Sequence, residues 1–142
     1  MSDPHVRWHR EGYERAVAAT DRFAAYVRSI GPDRLEAPVP DMTWRATDVV
    51  AHVHAVYRRY TVDRRRAATP RDVDAQNAAD LHQVELGDLD ARLADMRAQI
   101  DSLEPVIDAL DPHLALPFHG GRTITLAGGW GNLLGELLAH GD

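Results

Sequence analysis

The chain has 142 residues, 44% of them hydrophobic, which is enough for one compact domain with a core and too few for two. Its formal charge of -6 works against broad contact with a nucleic acid backbone, whose phosphates are bound by Lys and Arg, so no nucleic acid partner is expected. The absence of cysteine excludes disulfides, cysteine-based zinc sites and thiol nucleophiles, and leaves His, Asp and Glu to hold any metal.

Met1 to Arg10 mixes Asp, His and Arg where a signal peptide carries an apolar run, and no stretch reaches the roughly 18 apolar residues that cross a bilayer. A soluble, cytoplasmic protein without membrane contact is expected. From Pro4 to Ile30 helix breakers are nearly absent, and Val17, Phe23, Ala24 and Val27 gather on one face of a helix that Gly31 and Pro32 end. Leu35 to Met42 carries Pro38 and Pro40 and reads as an extended connection to a start signal at Thr43. A second helix is predicted from about Trp44 to Ala67, with Val49, Val53, Val56 and Tyr60 as its apolar stripe. Its far end holds Arg58, Arg59, Arg64, Arg65 and Arg66. The plain reading of that run is a solvated, dipole-favoured helix end; the alternative is an anion-binding patch.

Thr69-Pro70 closes the second helix, and the polar residues 71–85 suggest a loop or a short broken helix. A third helix is predicted from about Gly87 to Leu110, with Leu89, Leu93, Met96, Ile100 and Leu103 on one face and a kink or break at Pro105. Leu114 to Ala127, with Pro117, Gly120, Gly121 and the β-branched stretch Thr123 to Thr125, reads as a structured connection holding one hairpin-like turn. A last helix begins near Trp130, after Gly128-Gly129, and carries Leu133, Leu134, Leu137 and Leu138. Four helices without repeats make an all-α four-helix bundle with a long connection before the last helix.

At about 100° per residue, Glu136 and His140 lie about 40° apart, one turn from each other on one face of the last helix. That is chelate spacing, and it is equally the spacing of an ordinary intrahelical contact. Both flank the leucine stripe, so their polar ends point into the seam between helices, where a buried carboxylate needs a partner. His52 has the same relation to Val49 and Val56, whereas His54 projects almost opposite and is expected to face away from the core. Together His52, Glu136 and His140 offer two imidazoles and a carboxylate, a set that suits zinc and also nickel, manganese or iron, with open positions left over. Trp44, Asp48 and His52 follow one another at intervals of four. Asp48 either orients the His52 ring or complements the helix dipole, and Trp44 can be a core plug. His5, His9, His82, His113 and His119 fall at no recruiting spacing and are assigned to surface or loop positions, with His119 the exception because it leads into Gly120-Gly121 near the last helix.

The segment Pro40-Asp41-Met42-Thr43-Trp44-Arg45-Ala46-Thr47-Asp48-Val49-Val50-Ala51-His52 resembles the Trp, Asp and His signature of the mycothiol-dependent maleylpyruvate isomerase N-terminal domain, in the DinB-like superfamily. Phe118-His119-Gly120-Gly121 and Leu134-Gly135-Glu136-Leu137-Leu138-Ala139-His140-Gly141 resemble that family's downstream segment, and Asn77 a recurrent linker asparagine. The resemblance implies an up-and-down bundle, a divalent metal such as zinc on His52, Glu136 and His140, and mycothiol or another small thiol as cofactor or cosubstrate. It also implies an isomerase or transferase acting on a small-molecule electrophile, in which His119 and Asp48 steer protons as catalytic groups. A metal with open positions can depress the pKa of a thiol, which suits a chain with no cysteine of its own. Family members commonly continue past the last ligand, so His140 is expected near a fraying end. Two other readings remain open: a catalytically degenerate metal- or ligand-binding module, and a structural homodimer without metal that is built on the leucine face.

Overall fold

A computed structural model describes residues 1, 3–82 and 89–140. The fold is mostly helical, with one antiparallel pair of short strands. Among the described residues no helix is long and apolar enough to cross a membrane.

Helix α1 spans Pro4–Ser29. The Asp3 carboxylate accepts the His5 N–H at 2.8 Å, and Pro4 supplies a first-turn residue that has no N–H to satisfy. Its buried face is His9, Gly12, Tyr13, Ala16, Ala19, Thr20, Phe23 and Val27. Val17 and Ala24, expected at the centre of the stripe, lie at its partly buried edge. Gly12 is required by packing, since a Cβ there would sit 2.8 Å from Cβ of Trp130. After the short helix α2, Pro32–Leu35, the extended connection doubles back. Val39 N–H reaches the Trp44 carbonyl at 2.9 Å, with Asp41 in the left-handed region at φ 61.

Helix α3 spans Ala46–Thr61, starting and stopping inside the predicted limits. Every residue from Val49 to Tyr57 is buried because α5 packs on one side of it and α6 on the other, with α4 also in contact. This corrects the reading of His54, which is 1% exposed: a helix surrounded by neighbours has no outward face. The basic run is corrected too, for only Arg58 and Arg59 belong to the helix, and Arg59 is buried. The polar stretch after it contains the short helix α4, Val73–Asp80.

The predicted start of the third helix at Gly87 lies outside the described residues; α5 is described from Leu89 to Asp101. It ends four residues before Pro105, whose ring cannot coexist with a helical carbonyl at Asp101 and which has no N–H to donate to it. Short-range bonds such as Leu103 N–H to the Ile100 carbonyl at 3.2 Å close the turn instead. Strands β1, Ala115–Phe118, and β2, Arg122–Thr125, pair antiparallel with Leu116 opposite Ile124. Gly120 and Gly121, both at positive φ, carry the turn between them.

Helix α6 spans Leu126–His140 and so begins four residues before Trp130. Gly128 and Gly129, expected to precede the helix, are inside it. Gly129 allows a close approach, since a Cβ there would stand 3.1 Å from the Tyr60 ring. Helix α6 packs against α1 and α3, and α5 closes the other side of α1 and α3. Leu133 and Leu137 enter the core with Trp130, while Leu138 is 70% exposed. The leucine face is therefore divided between core and solvent.

Candidate metal centre

His52 and His140 converge on one carboxylate. His52 Nε2 lies 3.5 Å from Glu136 Oε2, and His140 Nε2 lies 3.4 Å from the same oxygen. The three candidate ligand atoms lie within 4.8 Å of one another, and the two imidazole rings meet edge to face at 5.4 Å. Helix α6 supplies Glu136 and His140 one turn apart, and α3 supplies His52 across the interface between them. Trp44 walls the His52 ring at 5.4 Å. Its half-buried side chain therefore belongs to this site more than to the core.

Both nitrogen–oxygen separations exceed the roughly 2.7–3.2 Å of a well-formed N–H···O bond. They match the edge of a tetrahedron around an ion with ligands at about 2.1 Å, whose vertices stand about 3.4 Å apart. The two imidazoles, His140 first and then His52, hold the Glu136 carboxyl down to about 2 against the opposing effect of burial. The carboxylate is thus ionised at neutral pH. His52 Nδ1 is buried without a hydrogen-bond partner. Two imidazoles and one ionised carboxylate on rigid helices form a donor set that fits a divalent cation.

Asp48 does not meet His52. Its carboxylate accepts the Arg45 backbone N–H at 2.9 Å and the Arg45 side-chain Nε at 3.2 Å. The hydrogen bond from the Arg45 side chain keeps it below the ordinary Asp pKa. The residue fixes the first turn of α3, and the expectation that it orients the His52 ring is overturned by the unpartnered Nδ1.

His119 does reach the site. A cavity of about 220 Å³ has His52, Tyr60, Asn77, His119, Asn132 and Glu136 in its lining. Gly120 N–H donates to the Ala67 carbonyl at 3.0 Å, and Ala67 N–H donates to His119 Nδ1 at 3.3 Å. Because Nδ1 accepts, the imidazole proton resides on Nε2, which is buried and without a partner. Burial, followed by the charge of Arg59, lowers the His119 pKa and keeps the ring neutral. His5, His82 and His113 are exposed as expected. His9 is not: it is buried, accepts Trp130 Nε1–H at 3.1 Å and lies 2.8 Å from the Ile107 carbonyl.

Sequence reasoning missed Asn132 and gave Tyr60 only a core role. Asn132, Glu136 and His140 share i, i+4 spacing, and His52, Val56 and Tyr60 do the same, so the signal was present in the period. Tyr60 O–H donates to the Gly129 carbonyl at 2.9 Å and accepts from Asn132 Nδ2 at 3.1 Å. This joins α3 to α6 beside Glu136.

A family model described as the mycothiol maleylpyruvate isomerase N-terminal domain matches residues 6–142. No curated protein and no solved structure matches the chain.

Proposed function

The chain belongs to the mycothiol maleylpyruvate isomerase N-terminal domain family, and from that premise we propose that it is a divalent-metal-binding enzyme. It uses a low-molecular-weight thiol, mycothiol in the first instance, in an isomerase or transferase reaction on a small electrophile. The observation that carries this reading is the convergence of His52, Glu136 and His140 within 4.8 Å. The same reading takes the chain as one domain, an up-and-down four-helix bundle of α1, α3, α5 and α6, working in the cytoplasm with no nucleic acid partner.

His52, Glu136 and His140 would hold the ion, with zinc first and nickel, manganese or iron compatible with the same donors. When bound, such an ion supplies the Lewis acidity that makes a thiol acidic enough to react at neutral pH. The protein's own groups supply the rest. Helices α3 and α6 keep the three ligands in place, and the cavity beside them admits a small electrophile. His119 faces that cavity as a neutral Nε2–H donor, suited to a carbonyl or carboxylate oxygen that gains charge during reaction. Asp48 acts at a distance by setting the start of α3, and is a positioning residue.

The test is elemental analysis of protein purified without a histidine tag, paired with thiol-dependent consumption of a generic electrophile. About one metal per chain is expected in the wild type, with loss of both metal and thiol-dependent turnover in His52→Ala. Full metal occupancy in His52→Ala would overturn the ligand assignment, and metal without any thiol-dependent reaction would overturn the activity.

A further inference from the structure

Three of the five arginines in the basic run are neutralised by carboxylates. Arg58 lies 3.7 Å from Asp95, Arg59 pairs with the fully buried Asp80 carboxylate, and Arg65 pairs with Asp63 at 2.7 Å and Asp80 at 3.1 Å. Among the described residues no carboxylate forms an ion pair with Arg64 or Arg66. Both line one cavity of about 290 Å³, between the end of α3, the hairpin and the start of α6.

Arg66 is held rigidly there. Its Nη1 donates to the carbonyls of Asp63 and Arg65, each at 2.8 Å, and its Nη2 to the carbonyl of Arg59 at 2.5 Å. Those carbonyls orient the guanidinium without cancelling its charge. Burial first, and then the neighbouring Arg59, pull the Arg66 pKa below its ordinary value, against a weaker attraction from Asp63. Apart from Arg59 and Thr125 the remaining wall is largely apolar, with Tyr60, Leu116, Phe118, Ile124 and Leu126. Arg59, Tyr60 and Phe118 also line the cavity beside His52 and Glu136, so the two cavities share a wall.

We propose that this second cavity binds an amphipathic organic carboxylate, its anionic group on Arg64 and Arg66 and its aryl or branched alkyl body on Leu116, Phe118 and Ile124. Planar guanidinium groups suit a carboxylate, and the apolar wall gives a purely inorganic anion nothing to bury. The volume lies just under the roughly 300–1,000 Å³ of ligand pockets, which favours a single-ring molecule over a nucleotide. Binding itself is independent of the metal. That the ligand's far end meets the chemistry at His52 and Glu136 rests on the function proposed above.

Titration of the full chain with phenylacetate and its neutral amide, followed by calorimetry or NMR shifts, tests the inference. The acid is expected to bind about tenfold more tightly than the amide, because a charge-assisted pair is lost in the amide. Arg64→Gln, at an exposed position, is expected to weaken the acid by about the same factor and leave the amide unchanged. Leu116→Trp, which fills the cavity, is expected to abolish binding of both, whereas inorganic phosphate should compete poorly. His52→Ala is expected to bind phenylacetate as the wild type does, so the metal reading can fail while this one holds. Equal affinity for acid and amide, binding indifferent to both Arg64→Gln and Leu116→Trp, or no saturable binding would overturn the proposal.

Discussion

His52 and His54 stand two residues apart on α3, and each meets a carboxylate from a neighbouring helix, yet the two pairs are built differently. His54 Nε2 lies 2.5 Å from Asp95, its Nδ1 faces Arg92 Nη1 at 3.4 Å, and Gln99 also donates to Asp95 at 3.3 Å. Since Nδ1 accepts from the guanidinium, Nε2 carries the proton and His54 is neutral. Its imidazole is closed on both sides and is 1% exposed. His52 lies 3.5 Å from a carboxylate that a second imidazole shares, its Nδ1 has no partner, and a cavity opens beside it. A histidine whose two nitrogens are both engaged is scaffold. One that keeps unused donor capacity beside open space is able to take a ligand.

The largest expected effect separates the two by substitution. His52→Ala is expected to lose metal and, in metal-free protein, to cost less unfolding free energy than His54→Ala, since its contact with Glu136 is long at 3.5 Å and Glu136 keeps His140. His54→Ala is expected to keep its metal and to lose about 2–4 kcal/mol, because it leaves a cavity in the core and removes the shortest hydrogen bond to Asp95. Urea unfolding with parallel metal analysis checks both. Equal stability losses in the two variants would break the comparison.

A smaller effect follows from pH. Burial, outweighing the attraction of Asp95, pulls the His54 pKa below its ordinary value despite the hydrogen bond; Arg92 and Arg58 act in the same direction as burial. The folded state therefore resists a proton that the unfolded chain accepts below about 6.5. This contribution is fully present above that pH and is lost as the pH falls through the folded value. Burial works to raise Asp95, but hydrogen bonds from His54 and Gln99 outweigh it and hold the carboxyl below its ordinary value, adding a second loss in more acid solution. His54→Gln is expected to flatten the stability profile below about pH 6.5 by at most about one proton. His119, lowered mainly by burial, keeps part of the slope. An unchanged profile would show that His54 is not held neutral.

The smallest effect concerns Asp48. Asp48→Ala removes the acceptor for the Arg45 backbone N–H and is expected to cost about 1 kcal/mol, as helix-start contacts do, with metal content unchanged. A loss of metal as large as that of His52→Ala would restore the orienting role that the geometry denies it.

Much of the candidate site was legible in the chain because its parts are local. Glu136 and His140 are four apart on one helix, and the Trp44, Asp48, His52 interval marks one side of another, so helical period alone places them on usable faces. Asn132 keeps the period of Glu136 and His140, and His9, expected at the surface, keeps that of Tyr13 and Ala16 on the buried face of α1. The reading failed where the answer depended on neighbours. The helix ends at Thr61 and Asp101, the helical placement of Gly128 and Gly129, and the burial of His54 are set by what packs against each segment.

Residue order by itself determined that the chain is mostly helical, where its prolines interrupt it, and which three side chains were available to meet a cation, because period, proline chemistry and ligand type act over a single turn. Tertiary structure alone decided that His52 faces Glu136 while His54 faces Asp95. It also decided that Arg64 and Arg66 share a cavity in which, among the described residues, neither forms an ion pair with a carboxylate. Those outcomes depend on which helix lies across from which, and they are set by burying apolar surface from the whole chain at once.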